Sequence, residues 1–346
     1  MKRFVLLLLL IPFLLIRVHA TELEIPQAPS GVYEYMPQEN ESFTQGLLYI
    51  LTTAIGKLAP ELAEGIRTGM LLLAATLASS VISSLSGTAK KISELIAVMY
   101  STIVLLNSTH SMIHLGIATI TEIDGYGKLL LPVMAASLAA SGGVSSSAAL
   151  YGGTAIFSAV LTSVIQKAFI PLLYTFIAIC VANRALGEDV LNSFKQFLKW
   201  LMTWTLKLIL YLFTGFITIT GVVSGSADAM SIKATKITIS GMIPVVGGII
   251  SDASEAILVG AGVMKNAAGI YGVFAFLAIC IGPVLKITIH CIVLRITAAL
   301  CGILGLKAQT GIIEDFSQSM NLILAATGSV CLLLLISTVV FMKGVG

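Results

Sequence analysis

A chain of 346 residues with 57% hydrophobic and 11% charged residues lies far from the globular average of about 45–50% apolar and ~25% charged. A mean hydropathy of +1.00 excludes a soluble domain. The formal charge of +3 is spread over scattered Lys and Arg residues, so no basic patch of the kind that neutralises phosphates is present, and nucleic-acid binding is excluded. The expected class is all-α, a polytopic membrane helical bundle.

Lys2 and Arg3 precede an apolar run from Phe4 to Ile16, and Val18-His19-Ala20 matches small-x-small cleavage at its final position. Residues 1–20 therefore read as a signal peptide cleaved after Ala20. The alternative is an uncleaved anchor, for which the run falls short of the roughly 20 residues a span requires. Residues 21–66 carry Glu22, Glu24, Glu34, Glu39, Glu41, Glu61 and Glu64 against Lys57, with Pro26, Pro29 and Pro37 in the early part. They predict a short extracytoplasmic tail, then an amphipathic helix from about Phe43.

Residues 67–346 form the predicted transmembrane domain. Apolar runs near 67–86, 94–120, 148–166, 168–186, 200–223, 268–285, 287–306 and 321–342 predict about seven or eight crossings. Two further stretches, 129–141 and 241–264, contain Pro132 or Pro244 with paired glycines nearby and predict broken or re-entrant segments. A secreted N-terminus puts Lys90 and Lys91 on the cytoplasmic side, in keeping with the positive-inside tendency. The stretch Thr121 to Lys128 is then an outward-facing connector. Arg184, Lys195 and Lys199 favour a cytoplasmic middle connector, which requires 129–166 to turn back as a hairpin; the side of the C-terminus stays open. Pro132 with Pro244, and Pro171 with Pro283, share one offset of 112. An internal repeat and chance both explain that match.

The segment from Gly221 to Gly272 is too polar to cross lipid plainly and too apolar for a solvated loop. Asp228, Lys233 and Lys236 alternate with apolar residues up to Ser240, and Asp252, Glu255 and Lys265 follow on a second amphipathic piece. An interfacial helix that then dips inward and a structured cap on the bundle are both open, as are lining a conduit and packing. Arg295 sits near the centre of its predicted span, where an unpaired cation costs about 2.5–3.5 kcal/mol on insertion scales. It is expected to face a wet cavity or a carboxylate, with Asp228, Asp252 and Glu255 as candidate partners. Lys286 and His290 lie nearer the end of the same span and are expected to snorkel to the interface.

His110 and His114 have the i, i+4 spacing that lets two imidazoles share a metal. Without an H-E-x-x-H glutamate or a nearby cysteine they read as polar residues at a helix–helix contact. Cys180, Cys280, Cys291, Cys301 and Cys331 all fall in apolar runs and read as small core hydrophobes. Gly125-Tyr126-Gly127-Lys128 lacks the spacing and hydroxyl of a phosphate loop. No nucleophile–base arrangement, metal-ligand cluster or nucleotide fingerprint is found, so no catalytic, cofactor or metal site is expected and the chain does not read as an enzyme.

Thr214-Gly215-Phe216, the run Gly221-Val222-Val223-Ser224-Gly225-Ser226-Ala227-Asp228-Ala229, Lys233, Lys236, Pro244 to Gly248, and Ser251-Asp252 resemble the stage III sporulation protein AE family. Ser84 to Glu94 is similar to that family's first cytoplasmic connector. The resemblance extends from about Phe43 to the C-terminus. It implies a multi-pass protein of endospore-forming Firmicutes, set in the mother-cell membrane around the forespore. Its implied partners are membrane lipid, the other stage III A proteins and the forespore protein Q, in a secretion-like channel energised by a separate ATPase. The family offers no catalytic residues to transfer. The residues by themselves leave a second possibility open, a stand-alone secondary transporter with broken-helix repeats.

Overall fold

The computed structural model describes the backbone of residues 24–38, 42–83, 88–186, 191–242, 247–304 and 307–343. The side chains of 221–262 and 264, and of a few helix ends, lie outside that description, as does the leader expected at 1–20. Eight α-helices follow a short 3-10 turn at Ser30–Tyr35: α1 Phe43–Gly56, α2 Leu58–Ser83, α3 Thr88–Ala140, α4 Val144–Val164, α5 Ile170–Leu186, α6 Asn192–Met242, α7 Gly247–Ile303 and α8 Lys307–Lys343. The described residues contain no strand.

Helix α1 begins at Phe43 because Ser42 and Gln45 form a reciprocal capping box, Ser42 N–H donating to Gln45 Oε1 at 3.1 Å while Ser42 Oγ accepts from Gln45 N–H. A single turn residue, Lys57, separates it from α2. The Lys57 ammonium pairs with Glu34 and lies 4.7 Å over the Tyr35 ring. The hydrogen bond to the Glu34 carboxylate raises the Lys57 pKa, so this contact holds below the ordinary lysine range and is lost as pH climbs through the raised value.

Helix α3 corrects the expectation of a broken segment at 129–141, since it runs 53 residues straight through Pro132. Pro132 faces outward while Leu130, Leu131 and Met134 beside it are buried. Packing on both sides of the missing N–H holds the helix together. The stop comes instead from Gly142, at φ 97°. Gly143 N–H donates to Leu138 C=O and Gly142 N–H to Ala139 C=O, both at 3.0 Å, which is the Schellman pattern. The predicted spans 148–166 and 168–186 are likewise one rod. A π-turn at Ile165–Phe169 joins α4 to α5, and the extra residue makes room for Pro171, which cannot donate to the preceding turn. Spans 268–285 and 287–306 also merge, because α7 continues through Pro283. Residues 247–264 belong to α7 and are helical; Pro244 lies outside the described residues. The paired prolines at offset 112 thus sit in different settings, Pro171 after a π-turn and Pro283 inside an α-helix.

Six helical segments are long and apolar enough to cross a membrane, and three of them, Ile92–Ala140, Val144–Ala185 and Lys265–Ile303, have 49, 42 and 39 residues. At about 1.5 Å per residue these reach roughly 58–73 Å. A hydrocarbon core of about 30 Å takes up only ~26 residues even at a 40° tilt. These three helices therefore extend past one bilayer thickness.

Helix α8 is the hub, the most buried of the spans, and touches α3 to α7. Gly116 of α3 meets Ile323 and Gly127 meets Leu334, so α3 and α8 run in the same direction. Helix α4 returns against α3, with Ser147 Oγ donating to Ala135 C=O at 2.6 Å. Helix α7 also opposes α3, through Tyr126 edge-on to Phe276 at 5.2 Å. Glycines set these approaches: a Cβ on Gly153 would lie 1.9 Å from Phe216 Cε1 of α6. The 24–38 tail lies along α3 and α7, its Pro26 carbonyl accepting from Tyr126 Oη and its Ala28 N–H donating to Tyr271 Oη. Ser93 Oγ donates to Ser79 Oγ, as does Gln309 Nε2, so the facing ends of α2, α3 and α8 share one end of the bundle. Lys195, just inside α6, reaches α8 only two turns further on. The connectors near Lys90 and near Arg184–Lys195 therefore leave from the same end, as a returning hairpin over 129–166 requires.

Candidate functional site

Charge inside this apolar bundle is concentrated at Asp315 of α8. Its side chain is 2% exposed and receives two cations, Lys195 Nζ at 2.8 Å on Oδ1 and Arg184 Nε at 3.3 Å on Oδ2. The three groups come from α8, α6 and α5, so one carboxylate ties three helices. Gly311, one turn before Asp315, lets the guanidinium lie against the α8 backbone. Asn183 Oδ1 accepts Leu191 N–H at 3.1 Å, which joins the two ends of the α5–α6 connection. Lys199 Nζ donates to Gln318 Oε1 at 3.1 Å one turn along. Burying a carboxylate with two hydrogen-bonded cations avoids the several kcal/mol per ion, roughly, that an unpaired buried charge costs. What the arrangement can do is hold α5, α6 and α8 in one register, with one positive charge in excess.

A second buried carboxylate, Asp124, sits in the middle of α3 and faces α4. Ser158 Oγ donates to its Oδ1 at 3.0 Å and Thr162 Oγ1 at 3.5 Å, while Lys128, exposed one turn on, lies 2.6 Å from Oδ2. This corrects the expectation that Thr121–Lys128 is an outward-facing connector. The stretch is mid-helix, and its buried carboxylate, Asp124, is satisfied by hydroxyls from α4. Most other threonines close on themselves, Thr102, Thr119, Thr327 and Thr338 each donating to the carbonyl four residues back.

The expected site residues fare differently. Arg295 lies on the outer face of α7 between the exposed Ile292 and Ile296, with no ion-pair partner among the described residues. Asp228, Lys233 and Lys236 belong to helix α6 and Asp252 and Glu255 to helix α7; their side chains lie outside the described residues, and so does any pairing with Arg295. Lys286 bridges α7 to α2 through Glu61 at 2.8 Å and Glu64 at 3.9 Å. The buried His290 has Nδ1 3.1 Å from the Lys286 carbonyl. His110 and His114 lie side by side and exposed on α3, and His110 stands beside Tyr174 of α5, ring centroids 6.4 Å apart. All five cysteines are buried and free.

Sequence reasoning missed Asp315 and Asp124. A carboxylate inside an apolar helical run was the available signal for both. Arg184 and Lys195 drew notice only as topology markers, because nothing in their spacing says that they converge on a residue more than a hundred positions away.

The family model for stage III sporulation protein AE matches residues 32–344. Stage III sporulation protein AE of Bacillus subtilis (strain 168) is 25% identical over 258 residues, which cover 74% of this chain and 65% of that protein. The chain thus spans just under two thirds of the length of the curated relative it matches. No solved structure matches it. With nearly its whole length aligned to one family and a helical bundle carrying six candidate membrane spans, this chain belongs to the stage III sporulation protein AE family.

Proposed function

We propose that this protein is a non-enzymatic membrane subunit of a secretion-like channel that links mother cell and forespore during endospore formation. It sits in the mother-cell membrane around the forespore, with the other stage III A proteins and the forespore protein Q as partners and a separate ATPase supplying energy. The reading is carried by the family match over 32–344. It is supported by three helices of 39 to 49 residues that outrun one bilayer thickness, which leaves helix beyond the hydrocarbon core for contact with protein neighbours. In this reading the Arg184–Asp315–Lys195 cluster holds the subunit's own helices together, and the outer faces of α6 and α7 serve assembly. The stand-alone transporter loses one of its two broken helices, since α3 is continuous through Pro132. Deleting the gene and following late forespore-specific transcription tests the proposal: the reading expects that transcription to fail, and normal spores from the deletion strain rule the role out.

A further inference from the structure

An aromatic stripe marks the outer face of α6. Phe194, Phe197, Trp200, Trp204, Lys207 and Tyr211 recur every three or four residues and are all exposed, so they share one side of the helix. The rings from Phe194 to Trp204 stack in sequence, with centroids 6.4, 6.1 and 5.9 Å apart and planes within 29° of one another, the spacing of offset-stacked aromatics. Lys195, Leu198 and Met202 of the same helix turn inward and are buried.

Neither water nor lipid tails suit this stripe. In water, four large rings in a row would form a contiguous apolar patch. In hydrocarbon, Lys207 would be an unpaired cation, since no carboxylate pairs with it among the described residues. The indole N–H groups of Trp200 and Trp204 likewise have no acceptor among those residues. Register across the bundle points to the layer between the two. Lys195 with Asp315 and Lys199 with Gln318 run α6 parallel to α8, so Trp200 and Trp204 stand level with about residues 319–323 of α8. Cys291 of the opposed α7 lies 3.3 Å from Ser317, which brings Lys286, a little over one turn earlier, to that same level. Lys286 pairs there with Glu61 and with the exposed Glu64 of α2. Charges that reach the surface at one level on α6, α7 and α2 belong at a bilayer boundary and are costly inside hydrocarbon.

We propose that Trp200, Trp204 and Lys207 meet the phospholipid headgroup layer, so that the bilayer boundary crosses α6 at this point. An indole places its apolar ring against acyl chains while its N–H donates to a headgroup oxygen, and the Lys207 ammonium reaches a phosphate in the same way. The two tryptophans are four residues apart, about 6 Å along the axis, and the headgroup layer is roughly 5–8 Å thick on each side. The contact belongs to the membrane-spanning bundle itself and is independent of the channel role. Beyond Tyr211, α6 continues to Met242 and leaves outer surface for assembly.

The chain has two tryptophans, both in the stripe, so its indole fluorescence reads this place alone. The full chain is reconstituted in vesicles of phosphatidylethanolamine and phosphatidylglycerol that carry a nitroxide either just beneath the headgroups or near the methyl end of an acyl chain. The shallow label is expected to quench about twofold or more above the deep one, in the wild type and in Trp200→Phe and Trp204→Phe, each of which reports the remaining indole. Should a variant fail to fold, the wild type carries the test alone, because its indole emission comes from these two residues. Equal or stronger quenching by the deep label places the stripe in the hydrocarbon core and overturns the inference. Quenching by neither label means that water or protein covers the face, and overturns it as well.

Discussion

A β-carbon on Gly311 would lie 2.2 Å from the guanidinium carbon of Arg184 and 2.4 Å from its Nη2, so the absence of a side chain on α8 is what admits the cation to Asp315. An isolated arginine would swing aside at little cost. This one is held by the carboxylate, and moving it breaks the pair.

Gly311→Ala is accordingly expected to destabilise the protein in detergent by about 1–3 kcal/mol, the usual cost of overpacking. In an Arg184→Ala background the same substitution is expected to be nearly neutral. A double-mutant cycle on thermal or denaturant unfolding measures that coupling, and additive losses would show that the close approach carries no energy.

Removing the anion is more severe than removing one cation. Asp315→Ala leaves Lys195, itself 8% exposed, beside Arg184 with no counter-charge, and a loss of roughly 3–5 kcal/mol is expected for a broken buried pair. Lys199→Ala, at an exposed contact with Gln318, is expected to cost less than about 1 kcal/mol. Unfolding midpoints of the two variants measured side by side check the order.

The Asp124 carboxylate gives a parallel test between α3 and α4. Ser158→Ala removes the shorter of its two hydroxyl donors and is expected to cost about 1.5–3 kcal/mol, the range for hydrogen bonds to charged groups. Lys128→Ala removes a partner whose side chain is 71% exposed and is expected to cost well under half as much. Equal losses in denaturant melts would mean that the hydroxyls contribute no more than the solvated lysine.

Arg295 separates folding from assembly. Exposed on α7, it is expected to change unfolding stability by no more than about 0.5 kcal/mol when replaced by glutamine. If the outer face of α7 serves assembly, the same variant lowers spore yield while the purified subunit melts as wild type does. A clear drop in the melting midpoint would instead place Arg295 in the fold.

Packing through glycine supplies a last prediction. Gly153→Leu drives a side chain into Phe216 and is expected to part α4 from α6, whereas Gly152→Leu next to it meets nothing within 4 Å in its first atom. Limited proteolysis of both variants in detergent compares them, with faster cleavage expected for the first alone.

Composition and hydropathy along the chain were enough to assign a membrane bundle, because lipid forces every backbone polar group into helical bonds and therefore demands long apolar runs. The start of α1 was equally legible, since Ser42 and Gln45 lie three residues apart and act locally. Proline was misleading for the opposite reason. Whether Pro132 or Pro283 breaks a helix depends on the neighbours that brace the chain around it, and Leu130, Met134 and Ile287 are buried against other helices. The meeting of Arg184, Lys195 and Asp315 lay further out of reach. Hydropathy reports what each segment prefers against water, but a buried charge is tolerated only where other segments bring the opposite charge to it, and that pairing exists only once three helices have packed.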